Sequence, residues 1–85
     1  MKYEEIEKFL TKKEIGTSPV RISFKTRSAI TGLFIKSADY GELSRKNLWR
    51  IVSEAKISSY VDSRNESLAR IFNGAEITRL ELINS

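Results

Sequence analysis

The sequence predicts a mainly β fold, with an N-terminal α-helix ahead of a strongly bent five-stranded antiparallel sheet, in effect a small, partly open barrel. Three observations carry that expectation. Apolar residues recur with helical spacing at the N-terminus; strict alternation follows from Val20; and two apolar runs near the C-terminus meet at Gly74. Those last two strands cannot cover themselves in a chain of 85 residues. They must pack on what precedes them or pair with another molecule.

Tyr3 to Lys13 reads as a short amphipathic helix, with Tyr3, Ile6, Phe9 and Leu10 on one side. Glu4, Glu5 and Glu7 stand toward its start and Lys8, Lys12 and Lys13 toward its end, as the helix dipole favours. Gly16 is the expected terminator and Pro19 cannot continue the helix. A helix this short is marginal alone, so its apolar side must dock on the sheet. In Val20–Lys25, Val20, Ile22 and Phe24 face one way and Arg21, Ser23 and Lys25 the other, the pattern of a half-buried strand. Thr26–Ser28 forms a polar turn, and Ala29–Ser37 a second strand interrupted by Gly32, where a bend or a close backbone approach is expected. Asp39–Lys46 reads as a loop. Leu48, Ile51, Val52 and Ala55 have helical spacing, but Trp49, Ile51, Val52, Ile57, Tyr60 and Val61 favour strand, so a long bent strand over 48–61 is expected. Asp62–Glu66 makes a turn. Leu68–Phe72 and Ile77–Ile83 are the closing strands, with Gly74 supplying a positive-φ turn or bulge. No repeat or linker divides the chain, which reads as one domain over 1–85, with the helix within 1–16 and the barrel over 20–85.

Composition narrows the chemistry. A domain this small buries only about 60% of its unfolded surface. Without cysteine there is no disulfide framework or thiolate metal site; without histidine the commonest general base and metal ligand are gone. No apolar run approaches the roughly 20 residues that span a bilayer, and Met1–Glu5 lacks the apolar core of a secretory signal. A cytoplasmic protein with no membrane partner, no cofactor and no metal is the expectation. The net charge of +4 is unevenly spread: residues 1–19 are neutral, residues 20–50 carry +5, and the remainder carries −1. That asymmetry suits a polyanion, nucleic acid above all; a well-solvated surface is the plainer account.

Val20–Lys25 leading to Ile30-Thr31-Gly32 and Phe34, then Asp39, together with Phe72-Asn73-Gly74-Ala75-Glu76-Ile77-Thr78-Arg79-Leu80, resembles the two motifs of the Sm-like (LSm) family. With the helix included, the resemblance covers nearly the whole chain. It implies an N-terminal helix before a five-stranded bent sheet of the SH3-like barrel type. It also implies a ring in which the fourth strand of one subunit pairs with the fifth of the next, and single-stranded RNA as ligand. In the family, bases sit between an aromatic or similar side chain and an Asn on one loop and an Arg before the glycine on another. Here Asn73 stands at the Arg position, and the Asp-to-Asn spacing is broken, with Asn47 beyond an apparent insertion after Asp39. The residues carried over as an RNA site are Tyr40 for stacking, Asn47 for a base edge, and Asn73 and Gly74 at the second loop. Arg27, Arg45, Lys46 and Arg50 are the candidate phosphate contacts.

The apolar terminal strands have few edge-blocking residues beyond Arg70, Arg79 and Glu81, so a head-to-tail homo-oligomer is expected independently of the resemblance. Two functions compete: a ring-forming RNA binder, and a small-barrel interaction or structural module that oligomerises without nucleic acid. Trp49 could anchor a partner in the second, although core packing is its commoner role. No catalytic residues are expected. Ser58 and Ser59 have no histidine to activate them, and the four glycines form no phosphate-binding loop.

Overall fold

The computed structural model describes residues 1–12 and 19–83. Its elements in chain order are α1 (Tyr3–Lys12), β1 (Val20–Phe24), β2 (Ile30–Phe34), α2 (Tyr40–Arg45), β3 (Leu48–Ser53), α3 (Glu54–Ser63), β4 (Arg70–Asn73) and β5 (Ile77–Leu82). Single 3-10 turns at Glu66–Leu68 and Gly74–Glu76 precede β4 and β5. The strands form one antiparallel sheet in the order β4-β3-β2-β1-β5, so β4 and β5 are its edges and the sheet does not close. With three helices beside the five strands among the described residues, the fold is mixed α and β and not mainly β as expected.

The alternation of β1 sets the sheet's two faces. Val20, Ile22 and Phe24 lie opposite Leu82, Leu80 and Ile77 of β5, with an irregularity between Ser23 and Phe24. All of these except Leu82, which is exposed, join Phe34, Trp49 and Ile51 in the larger core, which α1 caps with Ile6 and Leu10. The i, i+4 spacing of those two side chains puts them on one helical face, as expected. Trp49 is the centre of this core, at 1% exposure. Tyr3 stacks on it at a centroid distance of 6.2 Å, and Phe34 and Tyr40 meet it edge-on at 6.2 and 6.0 Å. Its surroundings are aromatic on three sides, a packing role.

The opposite face carries a second core of Leu33, Ile35, Val52, Tyr60 and Ala69. Here the structure corrects the long strand expected over 48–61. β3 stops at Ser53, and α3 begins at Glu54. Ile57 and Tyr60, three apart, both turn onto Leu33, Ile35 and Val52; burial on this second face outweighs the β-preference of the individual residues. Ser53, extended at φ −68°, ψ 155°, makes the switch, and Arg64 at φ 56° ends the helix. The polar stretch after Asp39, expected as a loop, contains the two-turn helix α2. The second strand is shorter than expected, Ile30–Phe34, and Gly16 lies outside the described residues.

Two glycines are close-approach positions. A Cβ on Gly32 would stand 2.5 Å from Ile51 Cγ2 and 3.3 Å from the Val52 carbonyl, so this glycine lets β2 lie close on β3. Gly74 is not in the left-handed region; it opens a 3-10 turn, and a Cβ there would stand 2.6 Å from Asn47 Cγ. The expected positive-φ turn is therefore replaced by a packing requirement. Positive φ occurs instead at Asn47 (60°), one of the residue types that tolerates it.

Candidate functional site

The sheet curls enough for its non-neighbouring strands to meet. Phe24 at the end of β1 and Phe72 on β4 stand with ring centroids 5.7 Å apart, although β2 and β3 separate their strands. Register explains which residues arrive there. Phe72 lies opposite Trp49 and Arg70 opposite Ile51, so Arg70 and Phe72 share the face that carries the larger core. Between β4 and the β1–β2 turn this leaves a mouth of about 520 Å³, bounded by Phe24, Arg27, Arg70, Phe72, Asn73 and Glu76 among others. That volume is within the range of ligand sites.

Arg27, on the turn, lies across the floor of the mouth. Its guanidinium carbon is 5.2 Å from the Phe24 ring centroid and 5.8 Å from that of Phe72. Both rings therefore back the cation, which holds a flexible side chain in place. Neither Arg27 nor Arg70 has a carboxylate within ion-pair distance among the described residues. Asn73 Oδ1 accepts from the Ala75 amide at 2.9 Å, which starts the 3-10 turn and leaves its Nδ2 as a donor. The mouth offers stacking surface and positive charge together, the chemistry that suits a planar, anionic ligand.

The other residues expected at an RNA site are placed elsewhere and employed differently. Asn47 is bonded internally: Oδ1 accepts from Trp49 Nε1 at 2.9 Å, Nδ2 donates to the Met1 carbonyl at 3.1 Å, and its own carbonyl accepts from the Gly74 amide at 2.7 Å. The Met1 ammonium in turn donates to the Gly74 carbonyl at 2.9 Å and to that of Ile77. Asn47 and Gly74 thus come together, as a bolt joining β3, the turn before β5 and the start of the chain. Tyr40 is half-buried against Trp49, with Lys36 Nζ 5.4 Å from its ring centroid; burial pushes its phenol upward, with Glu7 adding to the shift.

The basic residues divide in the same way. Arg50 donates from Nε to Asp39 Oδ1 at 3.2 Å and from Nη2 to Oδ2 at 2.8 Å, a bidentate pair in which Ser37 Oγ also donates to Asp39. Those hydrogen bonds, from Arg50 first and Ser37 second, hold the Asp39 carboxyl down at about 2. The charge of Arg50 is matched on the spot. Lys46 stands 3.8 Å from Glu42, both well exposed, and Arg45 is exposed at the end of α2. Of the sequence-predicted phosphate contacts, Arg27 alone lies in the mouth; Asn73 joins it from the predicted base contacts.

Phe24, Arg70 and Phe72 are not among the site residues expected from sequence. The i, i+2 pairing of Arg70 with Phe72 was visible, since such residues share a strand face; the curl that brings them to Phe24 was not. Among the described residues, no three His, Cys, Asp or Glu side chains gather as a metal site, and no helix is long and apolar enough to cross a membrane. Comparison of the chain with protein-family models, with curated proteins and with solved structures finds no match.

Proposed function

We propose that this chain binds single-stranded RNA without catalysis, and that copies of it assemble head to tail into an Sm-like ring. The observation that carries the RNA reading is the mouth: Arg27 lies over two phenylalanine rings, Arg70 stands beside them, and neither cation has a carboxylate partner among the described residues. Unstacked bases are held on aromatic faces and guanidinium planes, and phosphates by unpaired cations. The +5 charge of residues 20–50 adds long-range attraction. The helix before a five-stranded bent sheet agrees with what the Sm-like resemblance implies, at the level of architecture.

The ring reading is supported by the two edges. β4 and β5 each have one strand partner, and Ile71 and Leu82 on them are 48% and 38% exposed. An apolar edge strand of one copy satisfies the edge of the next, and a head-to-tail contact of this kind gives a ring where its rotation closes and an open filament where it does not. A neighbour's strand beside β4 would stand at the wall of the mouth, so assembly and RNA binding are coupled.

The test is fluorescence anisotropy with a labelled single-stranded RNA, titrated from about 50 to 200 mM salt, for the parent protein and for Arg27→Gln with Arg70→Gln. Affinity that falls steeply with salt and is lost in the double variant supports the reading. Salt-independent binding, or binding that the double variant keeps, overturns it. Light scattering on the eluting protein reads assembly: RNA-free oligomers that bind no RNA favour the interaction module.

A further inference from the structure

We infer that the mouth is a guanine-selective nucleotide subsite, in which Arg27 stacks on the base, Glu76 accepts from its N1–H and amino group, and Arg70 meets the phosphate. The inference deepens the RNA-binding reading and rests on it.

Glu76 is the single carboxylate among the residues bounding a mouth that otherwise favours anions. Its main-chain carbonyl is committed, accepting from the Lys25 amide at 2.9 Å, but its carboxylate is in no ion pair among the described residues. A carboxylate that bounds the same mouth as two arginines without pairing with either repels phosphate locally. It therefore fixes which end of a nucleotide lies where, with the base toward Glu76 and the phosphate toward Arg70.

The carboxylate also sorts the bases. It offers two acceptor oxygens side by side and no donor. Guanine alone presents two adjacent donors, N1–H and the 2-amino group, on its Watson–Crick edge. Adenine and cytosine each set one amino donor beside a ring-nitrogen acceptor, and uracil sets one N–H between two carbonyls. Each of these places an acceptor against the carboxylate. The Nδ2 group of Asn73, left free by the bond of Oδ1 to Ala75, is the complementary donor for guanine O6. Stacking is sequence-tolerant, so Arg27 holds any base and Glu76 supplies the difference.

The experiment is an NMR titration of the labelled protein with GMP, AMP, CMP, UMP and guanosine, repeated on Glu76→Gln. The glutamine is nearly isosteric and leaves the main-chain bond to Lys25 in place, so the fold is kept. GMP is expected to bind about tenfold tighter than the other three, the size of a good bidentate base contact, and to shift signals of Arg27, Phe72 and Glu76. In Glu76→Gln that advantage disappears while the other nucleotides hold their affinity. Guanosine, lacking phosphate, is expected to bind more weakly than GMP, and Arg70→Gln to remove that difference. Comparing a uracil RNA with one carrying a single guanine separates the two sources of this ligand: a gain from the guanine assigns the subsite to RNA, and no gain with GMP still preferred assigns it to free nucleotide. Equal affinity for all four nucleotides, or GMP shifts outside the mouth, overturns the inference and leaves RNA binding standing. No binding of any nucleotide or RNA removes both.

Discussion

Phe24 and Phe72 belong to strands that never pair, yet their rings stand 5.7 Å apart with the Arg27 guanidinium over both. That contact records how far the open sheet has curled. It also makes the floor of the mouth from residues that serve the core from behind. Phe24 is buried and Phe72 half-buried, so each ring packs inward on one side and backs a cation on the other. Stability and the proposed ligand site meet in the same two side chains.

Phe72→Ala is accordingly expected to do two things. Losing a half-buried ring costs less than the 3–5 kcal/mol of a fully buried phenylalanine, about 1–2 kcal/mol, read as an earlier urea midpoint. RNA affinity measured on the folded protein falls as well, because Arg27 loses part of its support. Phe72→Leu keeps much of the volume and separates the effects: most of the stability returns, and the affinity does not. Recovery of both by leucine would show that the aromatic face is not used.

Salt dependence gives a count of phosphate contacts. For a single strand each neutralised phosphate contributes about 0.7 to the slope of log affinity against log salt. Arg70→Gln is expected to lower the slope by about that amount, and Arg50→Gln to leave it unchanged, since Arg50 is already matched by Asp39. A change in slope from Arg50 equal to that from Arg70 would move the phosphate path to the opposite face of the sheet.

The Asp39–Arg50 pair makes a pH prediction with a definite sign. The carboxyl of Asp39 sits at about 2 in the folded protein against an ordinary 3.8, held there by Arg50 and then Ser37. A folded value below the unfolded one means that folding favours the ionised form. Its contribution is therefore complete above about pH 4 and disappears as pH falls through about 2. Asp39→Asn is expected to melt earlier than the parent at neutral pH, with the two melting curves converging toward pH 2. Curves that stay parallel across this range would place the pair outside the stability of the fold.

What the sequence disclosed depends on how local the cause is. The alternation of β1 and the Ile6–Leu10 spacing of α1 were legible because a single period carries each. The stretch 48–61 was misread because Ile57, Tyr60 and Val61 have strand-like side chains, whereas the helix is held by Ile57 and Tyr60 packing on a second core on the far face of the sheet, with Val61 exposed. Helical spacing was visible from Leu48 to Ala55, but the helix begins only at Glu54, so the signal was offset from its element. At the mouth, Arg27 was found from charge alone. Arg70 and Phe72 escaped because their meeting with Phe24 is set by sheet curvature, which no run of neighbouring residues encodes.

Asn47 separates a structural part from a ligand contact. Its side chain satisfies Trp49 Nε1 and the Met1 carbonyl, and its φ of 60° suits glycine. Asn47→Gly keeps the backbone conformation and leaves the indole N–H without its partner, a loss of about 1–3 kcal/mol. RNA affinity per folded molecule is expected to be unchanged. Gly74→Ala alone drives a methyl group against the Asn47 amide, 2.6 Å from its Cγ, and costs about 1–3 kcal/mol as overpacking. Combining the two removes the obstacle, so the pair is expected to cost less than the sum of the singles. Denaturant midpoints for the four proteins measure this, and full additivity would mean that the turn at Gly74 yields without pressing on Asn47. A fall in RNA affinity for folded Asn47→Gly would return Asn47 to the ligand.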